Sequence, residues 1–415
     1  MELGKWLQHA YAISIVVLLH IIASLSLGHH HANVTRCVER ERHALLAVKR
    51  DLVDNHNLLS SWGSGSEAQM QDCCRWERVY CDNKTGHVLR LDLGSDNRWP
   101  NSTDSGDFFS PAFEGTIIPQ LTQLHNLTYL NLSYNSFNES EIPAFIGSLT
   151  SLRYLDLSWA GFGGQIPFHA LGNLTHLTYL DLSDNDFNGS QIPAFIGSLT
   201  SLRYLDLSQA SFIGQIPSHA LGNLTHLQYL NLGFNYFYHY YVESLRETLL
   251  VENLNWLPHL SSLKYLDLSD TNLSNVFDWL ETVNKLPNLR NLSLSHYRLP
   301  PPIIPNSFSH INTSKSLARV DLSSATTITS SIFKWLCNYN TTLVHLDLSF
   351  TQLSGLIPYV FKDMNSLEVL SLSDNQLSGL IPDVFRNMSS LAHLDLSNNP
   401  LEGGIPKSIS QLCSL

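Results

Sequence analysis

The chain has 415 residues, of which 43% are hydrophobic and only 14% are charged, and its formal net charge is −12 at pH 7. The hydrophobic content excludes a globally disordered chain, because such chains cannot bury enough apolar surface to fold. The negative charge excludes a protein that binds the phosphates of nucleic acid, since this requires a basic surface. Neutral, carbohydrate-like or basic partners are expected instead.

The first 28 residues predict a secretory signal peptide. Lys5 precedes an apolar run, AISIVVLLHIIASLSLG, and Ser26 and Gly28 at its end have the size and spacing of a signal-peptidase site. These small residues favour a cleaved signal, residues 1–28, over an uncleaved anchor. No later run of about 20 apolar residues predicts a membrane-spanning helix. The chain is therefore expected to enter the secretory pathway.

Acceptor triplets for N-linked glycans, Asn-x-Ser/Thr, agree with export. Some arise by chance in a chain rich in asparagine, leucine and serine, and modification requires an exposed asparagine. The candidate glycosylation sites are Asn83, Asn101, Asn126, Asn131, Asn138, Asn173, Asn188, Asn223, Asn272, Asn291, Asn312, Asn340 and Asn387.

Residues 29–86 are predicted to form a cysteine-rich N-terminal cap, which holds Cys37, Cys73, Cys74 and Cys81. A zinc site and a redox site are both disfavoured, because no C-x-x-C spacing occurs and an exported chain meets an oxidising compartment. Four cysteines allow three pairings, and adjacent cysteines rarely bond each other. Of the two pairings that remain, we favour Cys37–Cys73 with Cys74–Cys81. No metal and no cofactor is expected.

The cap is predicted to contain a helix and an aromatic plug. The segment ERERHALLAVKRDL, Glu39 to Leu52, has apolar residues at helical spacing, with Leu45, Val48 and its last leucine on one face. Trp62 and Trp76 are expected to cover the open end of a repeat core, which needs such a cap.

From Leu127 to Leu227, a leucine-rich pattern recurs in steps of 25 residues, as in LTYLNLSYNSF and LRYLDLSWAGF, and it continues beyond with less regular steps. Further copies begin at Leu177, Leu202, Leu227, Leu263, Leu289, Leu317, Leu343, Leu367 and Leu391, and a divergent copy begins at Val88. The pattern predicts about twelve leucine-rich repeats over residues 87–415. The expected fold class is an α/β solenoid, a right-handed superhelix with a parallel β-sheet on its concave face.

Within each repeat, alternation assigns side chains to the inside or the outside. In RYLDLS, Leu155 and Leu157 are expected to face the core, whereas Tyr154 and Asp156 face outward, because a strand points alternate side chains to opposite faces. The asparagine of the pattern is expected to hold turn backbone through its side-chain amide. It stands at Asn135, Asn185, Asn235, Asn375 and Asn399, and is replaced by Ala160 and Ala210 in two repeats.

Three segments interrupt the repeats, and insertions in solenoids often form loops or binding surfaces. Residues 92–120 are a polar insertion, and residues 236–259 contain YFYHYYVES, which fits no repeat template. Residues 275–287, NVFDWLETVNKLP, predict a short helix on the outer side. Structural padding is the alternative interpretation for each of them.

The outward strand positions form a candidate ligand-binding surface. A column of tyrosines offers the amphipathic contact area that is enriched at interface hot spots, and a neighbouring column of aspartates would favour a basic ligand. The alternative is that these residues only pack on one another and solvate the sheet. The predicted ligand-binding residues are Tyr129, Tyr154, Asp156, Trp159, Tyr179, Asp181, Tyr204, Asp206, Tyr229, Phe234, Tyr265 and Asp267.

Cys337 and Cys413 lie about three repeats apart. This is a separation of roughly 14 Å at about 4.8 Å per strand, which exceeds disulfide reach of about 7 Å. We therefore expect two buried thiols that behave as small hydrophobic side chains.

The cap and the repeats together carry a resemblance to a known family. The head, ERERHALLAVKRDLVDN followed by LLSSW and DCCRWERVYCDNKTGHVLRLDL, resembles plant leucine-rich-repeat receptor-like proteins of the immune type, close to their fungal-xylanase receptor branch. GQIP segments and LSNVFDWLETVNKLPNL fit the same group. In that group, the GQIP segment forms a second short strand in each repeat. Arg78 stands where this family usually has glycine. The resemblance implies further repeats, a closing cysteine cap and a transmembrane helix. The sequence ends at Leu415, ahead of all three.

The resemblance implies an extracellular, non-catalytic ligand-recognition protein in plant defence signalling. Its expected ligand is a protein, peptide or carbohydrate from microbe or host, and partner receptor kinases are implied by the resemblance alone. The expected location is the outer face of the plasma membrane, or the apoplast for a chain that ends at Leu415. The alternative is a secreted inhibitor of microbial wall-degrading enzymes, similar to polygalacturonase inhibitors. No enzyme is expected, because the phosphate-loop, zinc-protease and kinase motifs are absent from the sequence.

Overall fold

The computed structural model describes residues 36–66, 71–95, 112–238, 246–296, 299–304, 316–407 and 409. The predicted signal peptide, Cys413 and two candidate glycosylation sites, Asn101 and Asn312, lie outside the described residues.

One sheet of thirteen strands runs through the described chain, and we call it the concave sheet. Its first strand pairs antiparallel with the second, and each later strand adds in parallel and in register. The strands are Val79–Cys81, Val88–Asp92, Tyr129–Asn131, Tyr154–Asp156, Tyr179–Asp181, Tyr204–Asp206, Tyr229–Asn231, Tyr265–Asp267, Asn291–Ser293, Arg319–Asp321, His345–Asp347, Val369–Ser371 and His393–Asp395. The predicted solenoid with a parallel sheet is confirmed.

Register follows from the leucines, since a slip of one residue would turn every leucine outward. The central leucine of one strand stands opposite that of the next, as Leu130 stands opposite Leu155. The leucines that flank the strands are buried as well, and so are the phenylalanines that follow the turns, such as Phe137 and Phe162. The core is therefore one continuous apolar column along the solenoid.

Short strands form smaller sheets beside the turns. Leu52–Val53 pairs with Glu114–Gly115, Ser354–Gly355 with Gln376–Leu377, and Gly379–Leu380 with Leu401–Glu402. The insertion near residues 236–259 forms a hairpin of Tyr236–Tyr238 and Arg246–Leu250, whose second strand also pairs with Gly214–Gln215. The insertion thus widens one edge of the solenoid.

Helical segments return the chain on the side away from the concave sheet. The α-helices are Glu39–Asp51, Phe168–Leu171, Ser218–Leu221, Trp279–Asn284 and Phe333–Leu336. The 3-10 segments are Cys73–Arg75, Pro119–Gln123, Ala144–Ser148, Ala194–Ser198, Leu257–His259, Ser330–Ile332, Cys337–Tyr339, Tyr359–Asp363 and Asp383–Asn387. The helix predicted within residues 275–287 is present, and it buries Trp279 and Leu280.

The cap helix packs as the sequence predicts, with Leu45, Val48 and Leu52 buried. Trp62 and Trp76 are buried and stack with ring centroids 5.6 Å apart. A disulfide joins Cys37 to Cys73 and another joins Cys74 to Cys81, which confirms the favoured pairing.

A buried carboxylate attaches the cap helix to the first repeat. Glu41 is fully buried and accepts hydrogen bonds from the Val88 N–H and from His87 Nδ1, both at 2.7 Å. Burying a carboxylate is unfavourable unless its oxygens are bonded, so this contact fixes the position of the helix against the sheet.

Arg78 adopts a positive φ of 69°, in the left-handed region that glycine enters most easily. This accounts for the glycine usual in the family at this turn. The Arg78 guanidinium offsets the cost of this backbone conformation by donating hydrogen bonds to the Gly94 carbonyl at 2.7 Å and to the Asp92 carbonyl at 3.3 Å.

The pattern asparagines hold the turns, as predicted. Asn185 donates to the carbonyls of Leu157 and Leu182 and accepts from the Phe162 N–H. The corresponding bonds recur at Asn135, Asn235, Asn375 and Asn399. Each asparagine therefore ties two neighbouring repeats together.

The prediction that Cys337 is buried is wrong. It follows the short helix Phe333–Leu336 and is exposed, while its thiol donates to the Phe333 carbonyl at 3.1 Å. Its neighbours Leu336 and Tyr339 take the buried positions of this segment, so the helical turn leaves the cysteine facing outward.

Candidate functional site

The six predicted tyrosines form one continuous stack on the concave sheet, which we call the tyrosine ladder. Its members are Tyr129, Tyr154, Tyr179, Tyr204, Tyr229 and Tyr265. Neighbouring ring centroids are 4.1 or 4.2 Å apart, and the planes differ by 9° to 14°. The parallel register produces this stack, because each ring lies directly opposite the next. All six residues are partly exposed.

A guanidinium closes the first end of the ladder. Arg90 lies over the Tyr129 ring at 3.9 Å and over Tyr80 at 5.1 Å, and it forms an ion pair with Asp92 at 2.6 Å. At the other end, Asn291 stands opposite Tyr265 and continues the strand position without a ring. The sequence analysis did not identify Arg90, although its strand register places it in the tyrosine column.

The four aspartates predicted to bind ligand from the outward face of the strands are buried. Asp156, Asp181, Asp206 and Asp267 are only 6% to 8% exposed. In the first of them, one carboxylate oxygen accepts from the Ser158 N–H and hydroxyl, and the other accepts from the Tyr154 hydroxyl. The tyrosine rings cover the carboxylates, so the ladder is the accessible surface.

Burial also shifts the protonation of these groups. Burial, together with the nearby Asp206 and Asp156, raises the pKa of Asp181 to about 7, although the bonds from Ser183 lower it. Burial raises the pKa of Tyr265 to about 12, with Asp267 adding to the effect. The ladder is therefore neutral near neutral pH.

A stability prediction follows from the raised pKa of Asp181. Between about pH 4 and about pH 7 the folded chain keeps a proton that the unfolded chain releases, so the free energy of unfolding should fall as pH rises through this window. Asp181→Asn should remove this loss and be the more stable protein above about pH 7, by on the order of 2 kcal/mol. Asn131 and Asn231, at the same repeat position, already accept a backbone N–H in this way. Urea unfolding at several pH values measures the effect, on chain produced without N-glycosylation because asparagine at position 181 completes an Asn-Leu-Ser triplet.

Asp395→Asn is the matched control, because Asp395 accepts the same two bonds from Ser397 yet is much more exposed. Those bonds lower the pKa of Asp395, so its stabilisation is present above the unfolded pKa and is lost as pH falls. This variant should therefore be less stable than the wild type at neutral pH. Equal pH profiles for the wild type and Asp181→Asn would contradict the prediction.

The turns after the strands form a second column, which we call the eighth-position column because each residue is the eighth of its repeat. Every member has a positive φ, between 50° and 90°. The members are Tyr134, Trp159, Asp184, Gln209, Phe234, Asp270, His296, Ser324, Phe350, Asp374 and Asn398. Two of the predicted site residues, Trp159 and Phe234, are 44% and 37% exposed here.

An open pocket of about 410 Å³ lies at this edge, between Trp159 and Phe234. Asp184, Gln209 and Glu139 contribute to its lining. The sequence analysis named the two aromatic residues but missed the polar ones, which the repeat register could have indicated because Asp184 and Gln209 share the eighth position.

Asn131 is expected to remain unmodified, against the sequence expectation. Its side-chain amide donates to Asp92 Oδ1 at 3.0 Å, and its oxygen accepts from the Ser133 N–H. Gly94 packs so closely that a Cβ there would lie 2.3 Å from the Asn131 amide nitrogen, so the folded sheet has no space for a glycan. Glycopeptide mass spectrometry should find Asn126, which is exposed, occupied and Asn131 bare; substantial occupancy at Asn131 would contradict this.

In the described part of the chain, the one group of potential metal ligands is formed by the sulfurs of Cys37, Cys73 and Cys74, within 4.8 Å of one another. All three belong to disulfides, and a disulfide offers no thiolate to a metal. Among the described helices, none combines the length and apolar character needed to cross a bilayer.

Three family models match the chain. A leucine rich repeat N-terminal domain matches residues 38–82, a leucine-rich repeat region matches residues 111–315, and a leucine rich repeat model matches residues 341–401. Together with the solenoid and its disulfide-bonded cap, these matches define the class: a capped leucine-rich-repeat protein.

Sequence relatives show which family within this class the chain belongs to. The chain is 33% identical over 369 residues to receptor-like protein EIX1 of Solanum lycopersicum, an alignment that covers 89% of this chain and 29% of that protein. The chain belongs to the plant leucine-rich-repeat receptor-like proteins, and it spans less than a third of the length of this relative.

Solved structures agree with the fold. The chain is similar to the plant peptide hormone receptor RGFR1 in complex with RGF2, with 27% identity and a TM-score of 0.56 over 82% of this chain and 51% of that one. It is also similar to the PEPR1-AtPEP1 structure, with 26% identity and a TM-score of 0.60 over 90% of this chain and 50% of that one.

Proposed function

We propose that this chain is the ligand-recognising part of an extracellular, non-catalytic receptor-like protein, and that it binds a peptide or protein along the tyrosine ladder. The observation that carries the proposal is the ladder itself, six stacked and partly exposed rings on one face. Tyrosine is enriched at interface hot spots, where a rigid ring provides large contact area. The similar structure of a plant peptide hormone receptor, RGFR1 in complex with RGF2, supports a peptide ligand.

The geometry also suits an extended partner. The rings repeat every 4.1 or 4.2 Å along the solenoid, and a strand advances about 3.3 Å per residue, so an extended peptide lying along the ladder can contact several rings in succession. Because the rings are already packed on one another, binding requires little loss of side-chain freedom, which favours affinity. Signalling through partner receptor kinases and action in plant defence are the wider roles that we propose by family membership.

An experiment that does not require the natural ligand to be known tests this function. The secreted, glycosylated chain is immobilised and panned against a phage-displayed library of random linear peptides. Enriched clones are then tested on Tyr179→Ala and Tyr204→Ala, and on Tyr359→Ala as a matched control, because Tyr359 is 74% exposed on a 3-10 segment outside the concave sheet. We expect the ladder variants to lose most clones and the control to keep them.

The melting temperature of each variant separates lost binding from lost folding, and Tyr179→Phe adds a variant that keeps the ring stack. No enrichment at all, or clones that bind the well-folded ladder variants as strongly as the wild type, would overturn the proposed function.

A further inference from the structure

The pocket at the edge of the solenoid has two aromatic ends. Trp159 stacks on Tyr134 with ring centroids 5.9 Å apart, and Phe234 meets His296 edge to face at 5.5 Å. Trp159 and Phe234 stand three repeats apart, roughly 14 Å at about 4.8 Å per strand. Asp184 and Gln209 occupy the two repeats between them. The pocket therefore has polar side chains in its middle and an aromatic ring at each end, and each ring packs on a second ring.

The charge of this pocket has one sign. Glu139, Asp184 and Asp186 line it, and none of its described lining residues is a lysine or an arginine. The Trp159 indole N–H donates to the Asp184 carboxylate, and Asp186 accepts from the Asn188 N–H at 3.0 Å. Both carboxylates are thus held in place beside the rings.

Among the residues that the structure describes, no lysine or arginine lines the pocket beside Asp184. Burial, together with the nearby Asp206, raises the pKa of Asp184 to about 6, although its bonds from Trp159 and Ser183 oppose the shift. A positive charge in the pocket would stabilise the ionised carboxylate.

The backbone beneath the aromatic rings is unusual for such side chains. Trp159 and Phe234 have φ of 50° and 56°, a region in which bulky residues are rare. Every member of the eighth-position column shares this conformation, so the turn of the repeat imposes it and holds the two rings at equivalent positions.

We propose that the pocket between Trp159 and Phe234 binds an arginine side chain of a peptide ligand. This inference rests on the proposed function and names the residue type that the ligand carries. A guanidinium fits because its planar face stacks on an aromatic ring, here Trp159, while its edge donates to a carboxylate. Asp184, held beside Trp159, supplies the carboxylate, and Glu139 and Asp186 add negative charge at the rim. Charge complementarity and the aromatic lining together select this occupant.

A fluorine label makes the site directly observable. The secreted chain is produced with 5-fluorotryptophan, which labels each tryptophan that remains of the 8 in the full sequence, and the Trp159 resonance is assigned by its loss in Trp159→Phe. Nα-acetyl-arginine amide is titrated in, with the neutral isostere Nα-acetyl-citrulline amide as the comparison probe. We expect a saturable shift of the Trp159 resonance with the arginine probe and about ten-fold weaker binding of the citrulline probe.

Two charge-neutralising variants sharpen the test. Asp184→Asn removes the carboxylate that would accept from the guanidinium, one of three in the pocket, and should weaken arginine binding about ten-fold. Asp374→Asn is the matched control, because Asp374 has the same repeat position, a φ of 55° and no place in the pocket. It should leave the titration unchanged because it lies outside the pocket. The two variants change the net charge of the chain by the same amount, so a difference between them reports on the pocket.

Several results would overturn the proposal: no saturable shift with the arginine probe, equal binding of the citrulline probe, or equal weakening by Asp184→Asn and Asp374→Asn. Binding that appears only after enzymatic removal of glycans would also overturn it for the secreted protein, because the acceptor sites Asn138 and Asn188 lie close to Glu139 and Asp186. A chain that captures peptides through the tyrosine ladder but fails these criteria refutes the arginine pocket alone, not the proposed function.

Discussion

Asn185→Ala is expected to lower the free energy of unfolding by about 3 kcal/mol. The side chain is buried and makes hydrogen bonds to Phe162 N–H at 2.9 Å, Leu157 C=O at 2.8 Å and Leu182 C=O at 3.0 Å. Alanine leaves these backbone groups without the amide, and an unsatisfied buried polar group costs about 1–3 kcal/mol. The site is sensitive because Ala160 and Ala210 already stand at this position on either side.

Asn399→Ala is the matched control. Asn399 makes the same kinds of bond, to Leu377 N–H and to the Leu372 and Leu396 carbonyls, but it is only partly buried. Water can replace the lost amide there, so this variant should cost about 1 kcal/mol or less. Urea unfolding measures both, and hydrogen exchange at the Phe162 N–H locates the effect. Equal losses in the two variants, or a Phe162 N–H that stays protected in Asn185→Ala, would contradict the prediction.

The solenoid could be predicted from the sequence because each repeat has the same local requirements. Leucines at alternating positions fix the inward face, and the constant step fixes the register, so Leu155 opposite Leu180 follows from spacing alone. The tyrosine column follows from the same register. The pairing of Cys37 with Cys73 was also predictable, since few alternatives existed.

The burial of the aspartates could not be predicted in this way. Alternation assigns Asp181 to the outer face but does not show that tyrosine rings lie over it and that Ser183 occupies its oxygen. The pocket was missed for a related reason, because its far side includes Tyr236, which belongs to an insertion with no repeat register. Cys337 was misassigned because the helical turn around it belongs to no repeated pattern.

The cap gives the second large effect. Replacing Cys37 and Cys73 together by alanine should destabilise the cap by about 4 kcal/mol, because the disulfide closes a loop with a sequence separation of 36 and constrains the unfolded chain. Replacing Cys74 and Cys81 should cost about 2.5 kcal/mol, since their separation is only 7. The double alanine variants differ in loop length but not in the number of bonds removed, so each serves as the control for the other.

The readout should report on the cap and not on the repeats. The Val88 N–H is suitable because it donates to Glu41 of the cap helix, and its hydrogen exchange rises when that helix leaves the sheet. We expect fast exchange at this amide in the Cys37/Cys73 variant and an intermediate rate in the Cys74/Cys81 variant, with the Phe162 N–H unchanged in both because solenoid repeats contact mainly their neighbours. A reversed order of the two variants would show that packing of Trp62 and Trp76, rather than the longer covalent loop, determines the stability of the cap.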